Sequence, residues 1–165
     1  MNIIKEIREK QNELILMINS TFDELVKRVE KMEMEEKEFE SEYETIYPIT
    51  NTTGFKGKKP IAIIYRGKRQ LTPTWKVVVD TILKEVIKNP IMKMRIMALR
   101  DKLLGRVRKR LSKTSNDMRS PLKIDDNLFI ETHYDTETLI KLLLEILEEI
   151  SYDYNEIQVV IKNKK

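Results

Sequence analysis

The sequence predicts an α+β fold: a long N-terminal helix or helical hairpin of coiled-coil type, then a small mixed domain ordered strand pair, helix, helix, strands, helix, strand. Three observations predict it. Residues 3–43 contain neither glycine nor proline and are rich in charged side chains, which favours helix. The stretch YPITNTTGFKGKKP at 47–60 has the turn-forming composition of a connector. Beyond it, apolar residues recur at strand spacing, then at helical spacing, then at strand spacing again. The expected organisation is a helical arm over 1–46 that serves oligomerisation, a connector over 47–59 and a basic α+β domain over 60–165.

In the arm, Ile4, Gln11, Ile18, Leu25, Met32 and Phe39 recur every seventh residue. Ile7 and Leu14 supply a second seam position, which Thr21, Arg28 and Glu35 continue poorly. Thr21 and Glu24 have capping-box spacing, so a break into two helices near Ser20 is open. The apolar stripe needs a partner, either a second copy of the chain or the chain's own body, and a homodimer through residues 1–46 is expected.

After the connector, IAIIYRGKRQL reads as a hairpin turning at Arg66, Gly67 and Lys68. Thr72 before Pro73 reads as a helix start. The helix that follows directs Trp75, Val78, Val79, Ile82, Leu83 and Val86 to a core, and Trp75 reads as a core anchor rather than a base-stacking platform. Asn89 and Pro90 open a further helix with a stripe of Met92, Ile96, Leu99 and Leu103, ended by Gly105. RVRKRL and LKIDDNLFIETH suggest two or three strands, Asp135 caps an apolar helix from Thr136 to about Ile150, and EIQVVIK supplies the last strand.

Charge is segregated. Residues 1–46 carry 7 basic and 13 acidic side chains, residues 47–125 carry 20 and 5, and residues 126–165 carry 4 and 9. The basic middle suits phosphates or an acidic partner, or it packs against the acidic flanks. Its densest part is GRVRKRLSKT at 105–114. As a strand, 106–111 would set Arg106, Arg108 and Arg110 in a row at intervals of roughly 7 Å, a geometry suited to successive phosphates, which the planar guanidinium fork grips well. Lys109, Lys113, Arg119 and Lys123 extend that field, and Lys56, Lys58, Lys59, Arg66, Lys68 and Arg69 form a second group. The alternative is a charged edge strand protected against aggregation. Phosphate binding requires these groups to share one accessible surface. Nothing indicates sequence-specific readout, since no helix-turn-helix, zinc module or aromatic RNA-binding signature is visible.

Signals for chemistry are weak. The chain has no cysteine, which excludes disulfides, thiol catalysis and thiolate metal sites. Glu131, His133 and Asp135 alternate in a way that could suit a metal-dependent nuclease, but Asp135 is already explained as a cap. No phosphate-cradling glycine loop is present. We therefore expect no catalytic residues, no metal and no cofactor. No apolar run is long enough for a membrane span, and the expected location is cytoplasmic.

Residues from about 55 to 162 resemble an α+β accessory domain of bacterial and archaeal restriction, mobile-element and defence-linked proteins. The resemblance is carried by TPTWKVVVDTIL, LRDKLLGRVRKRLSKTSNDMRSPLKI, LFIETHYDTETLIKLLLEIL and YDYNEIQVVIK. The family has a more aromatic stretch in place of GRVRKRLSKT and often asparagine in place of His133. The resemblance implies a non-catalytic protein that engages nucleic acid, DNA or RNA, or a ribonucleoprotein complex. An acidic arm on such a domain would also suit a phage-encoded inhibitor of a host defence system, of anti-CRISPR kind, with Glu33, Glu35, Glu36, Glu38, Glu40, Glu42 and Glu44 imitating nucleic acid or simply facing solvent.

Overall fold

The computed structural model describes residues 2–103 and 109–163, with the side chains of 36–42 outside the description. It has an α+β architecture divided into two units, residues 1–43 and 44–165.

The first unit is helix α1, Ile3–Tyr43, 41 residues without interruption and about 60 Å long at 1.5 Å per residue. The hairpin alternative does not form. Instead of capping a new helix, the Thr21 hydroxyl donates back to the Met17 carbonyl at 2.9 Å, a bond that leaves the helix intact. Every described side chain from Asn2 to Glu35 is exposed.

In the second unit, β1 (Glu44–Pro48), β2 (Pro60–Tyr65), β3 (Lys68–Leu71) and the C-terminal β7 (Gln158–Lys162) form one sheet in the order β1-β7-β2-β3, all antiparallel. The segment expected to be a connector is part of this body. Ile49 and Phe55 are fully buried, and a 3₁₀ turn spans Thr52–Phe55. The arm ends at Tyr43 because residues 44–48 find a ladder on β7.

The β2–β3 hairpin turns at Arg66 and Gly67, with φ of 50° and 73°. Two positive φ values give the turn whose twist matches an antiparallel pair. A second sheet has the order β4-β6-β5, from Leu111–Ser112, Leu128–Glu131 and Pro121–Asp125. The expected strand over 106–111 is reduced to Leu111 and Ser112, while Arg106, Arg108 and Gly105 lie outside the described residues.

Three further helices complete the unit: α2 (Trp75–Val86), α3 (Pro90–Leu99) and α4 (Thr136–Glu149). The α2 cap is Thr74, whose side chain accepts from the Val77 N–H; Thr72, read as the start, is buried and its N–H donates to Ile61. Asn89 caps α3 and Asp135 caps α4, each accepting amide hydrogens through its side chain. Val78, Ile82 and Leu83 of α2 and Ile140, Leu143 and Leu147 of α4 pack with Ile63, Val159 and Ile161 of the first sheet and Leu128 and Ile130 of the second in one core.

Candidate nucleic-acid interface

Among the described residues, part of the basic set already has carboxylate partners. Lys109 pairs with Asp101 at 3.1 Å, Arg110 with Glu145 at 3.2 Å and Lys123 with Asp126 at 3.2 Å. The Lys109 ammonium holds the Asp101 carboxyl below its usual range. Arg69 forms a two-bond fork with Glu44, at 2.8 and 3.0 Å. Those two residues stand on β3 and β1, the opposite edges of the first sheet, so this ion pair crosses the sheet face. Glu44 and Glu145 come from the two acidic flanks, and internal complementarity thus accounts for part of the charge segregation.

Other described cations have different neighbours. The Arg66 guanidinium lies 5.1 Å from the centre of the Tyr65 ring, and Lys68 is exposed at the same hairpin end. Lys113 is exposed, and Arg119 reaches His133 Nε2 at 3.4 Å. The proposed arginine row reduces to Arg110 among the described residues.

One group survives this partition. Lys56 and Gly57 are the central residues of a tight turn in which the Lys58 N–H donates to the Phe55 carbonyl at 3.1 Å. Lys56 has φ −57° and ψ 125°, and Gly57 has φ 72°, the geometry of a type II turn. Both ends of the turn are fixed. The Phe55 ring is buried, 4.8 Å from Trp75 and edge-on to Tyr47 at 6.2 Å, while the Trp75 indole N–H donates to the Lys58 carbonyl at 2.8 Å. Trp75 therefore serves as an anchor whose polar edge positions a lysine.

The Lys58 ammonium sits 4.7 Å from the centre of the Tyr47 ring and donates to its hydroxyl at 3.2 Å. Tyr47, Lys56, Lys58, Lys162 and Asn163 border a concavity of about 230 Å³. Lys59 follows in the chain and is exposed; its carbonyl accepts from the Lys162 N–H at 3.4 Å. Among the described residues, none of Lys56, Lys58, Lys59 and Lys162 pairs with a carboxylate. Sequence reading missed Lys162, which arrives from a strand about a hundred residues away through the β1–β7 and β2–β7 ladders.

Gly57 is required by its φ of 72° and not by crowding, since nothing lies within 4 Å of a Cβ built there. Gly57→Ala is expected to cost about 1 kcal/mol through left-handed strain alone, read as a lower urea midpoint with unchanged slope.

The alternating triad is committed elsewhere. Glu131 is 3% exposed, and its carboxylate accepts from the amides of Arg119 at 2.7 Å, Ser120 at 2.9 Å and His133 at 2.9 Å. Asp135 accepts from the Thr138 amide and hydroxyl, each at 2.9 Å. His133 is exposed. Among the described residues, no group of three acidic, histidine or cysteine side chains is placed to hold a metal.

The fold and site together define an α+β chain with a long helical arm and an anchored lysine turn that no described carboxylate neutralises. No family model, curated protein or solved structure matches it. Among the described residues no helix is long and apolar enough to cross a membrane.

Proposed function

We propose that the chain is a non-enzymatic nucleic-acid-binding protein that grips the phosphate backbone at the lysine turn. The observation that carries this reading is the presentation of Lys56, Lys58 and Lys59 at a turn anchored by Phe55 and Trp75, beside Lys162 of β7, with no carboxylate partner among the described residues. Residues 44–165 hold 24 basic and 15 acidic side chains, so the surrounding field attracts a polyanion. Lysine ammoniums act as point charges without base-edge geometry, and binding follows the backbone rather than the sequence. The hairpin cations Arg66 and Lys68 lie at the far end of β2, roughly 17 Å away at strand rise, where they would meet a longer strand. The chain acts as a homodimer through residues 1–46. A regulatory or defence-linked setting rests on the resemblance of residues 55–162 alone.

Fluorescence anisotropy with a labelled single-stranded RNA and a labelled DNA duplex, each titrated at several salt concentrations, tests the reading. Phosphate binding gives a log K that falls linearly with log salt. The triple variant Lys56→Glu, Lys58→Glu, Lys59→Glu is expected to weaken binding at least 30-fold and to reduce the slope on duplex DNA by about 3. A flat salt dependence, or a triple variant that binds like the parent, rules the lysine turn out. The relative affinity of the two probes assigns DNA or RNA.

A further inference from the structure

The unbroken helix reveals a seam in α1 that the simple seven-residue repeat does not. From Ile4 the apolar face advances to Ile7, Gln11, Leu14 and Ile18 in steps of 3, 4, 3 and 4. From Ile18 it advances to Phe22, Leu25, Val29 and Met32 in steps of 4, 3, 4 and 3. Phe22 and Val29 thus take the places that Thr21 and Arg28 fill poorly. The phase change at Ile18 is a four-residue insertion into the heptad pattern, which locally unwinds a supercoil without ending it. The apolar seam residues are 47–67% exposed, and their average spacing of 3.5 residues is that of a helix packed against another helix.

The series of steps reads the same in both directions. An antiparallel partner of identical sequence, with its two-fold axis at Ile18, therefore meets the seam layer by layer. Ile4 faces the partner's Met32, Ile7 the partner's Val29, Leu14 the partner's Phe22, and Ile18 the partner's Ile18. Charge favours the same orientation. Residues 33–42 include six glutamates and one lysine, and a parallel pair would set both acidic segments side by side, whereas the antiparallel pair sends them to opposite ends.

We propose that a second copy of this chain covers the α1 face as an antiparallel two-stranded coiled coil centred on Ile18. This rests on the homodimer proposed above and is independent of the lysine turn. The test uses the full chain without nucleic acid. Sedimentation equilibrium is expected to give two copies, with Ile18→Glu raising the dimer dissociation constant at least 100-fold, since it opposes two carboxylates at the axis. Urea unfolding of the variant reports that the body stays folded. Because the chain has no cysteine, oxidative cross-linking reads orientation directly. Gln11→Cys protein mixed with Leu25→Cys protein is expected to cross-link, and neither variant alone. Cross-linking of Gln11→Cys with itself means a parallel pair and overturns the seam while keeping the dimer. A monomer overturns both; a trimer or tetramer overturns the two-stranded seam.

Discussion

Phe55→Ala is expected to destabilise the body by about 3–5 kcal/mol and to loosen the lysine turn in whatever fraction stays folded. The ring is fully buried, and it touches both Trp75 and Tyr47, so truncation leaves a cavity beneath the loop that carries Lys56, Lys58 and Lys59. Denaturant unfolding measures the stability loss. Anisotropy at a temperature where the variant is folded measures the second effect, expected as weaker binding with the salt slope retained, since the charges remain. Trp75→Phe is the control. It keeps an aromatic ring near Phe55 but deletes the indole N–H bond to the Lys58 carbonyl, about 1 kcal/mol, together with the packing of the larger bicyclic ring. A Phe55→Ala protein of parental stability would mean that the turn is not anchored through this ring.

Glu131→Gln is expected to cost about 2–3 kcal/mol at neutral pH. The amide can still accept from Ser120 and His133, but its NH₂ group then opposes the Arg119 N–H that now donates to the second carboxylate oxygen. The acid limb supplies a second readout. Burial pushes the Glu131 carboxyl up, and the backbone amides of His133, Ser120 and Arg119 together outweigh burial and hold it below its ordinary value of 4.5. The folded state thus favours the charged form. The resulting stability is present above pH 4.5 and is lost as pH falls through the lowered folded value. Parental stability should drop in that acid range more steeply than that of Glu131→Gln. Parallel acid limbs would show that this carboxylate is not the brace between β6 and the loop at 119–120.

Features legible in the sequence share a local cause. The arm is one helix because residues 3–43 lack helix breakers. Asn89 and Asp135 were readable as caps because their oxygens bond amides two or three residues on. The hairpin was readable at Arg66 and Gly67 because glycine accepts a positive φ. The misplaced features depend on distant partners. Strand β1 looked like the end of the arm and the start of a connector, since it contains Pro48 and only five residues, and its ladder lies on β7 at the other end of the chain. Thr72 reads as the helix start only until the β2 strand claims its N–H, and the cap of α2 is Thr74.

The same division holds for the site. Lysines 58 and 59 were named from their charge, but the aromatic footing that makes their turn rigid joins Tyr47, Phe55 and Trp75 across 29 positions of sequence. Conversely, Arg110 of the richest basic stretch is already paired, because Glu145 on α4 comes to it from 35 positions away. Charge density along a chain shows where cations are abundant, whereas binding depends on which of them the fold leaves without an anion.

The fork between Arg69 and Glu44 acts as a tie across an open span. It links the two edge strands of a four-stranded sheet that do not pair with each other, so peeling either edge away also costs this ion pair, about 0–1 kcal/mol.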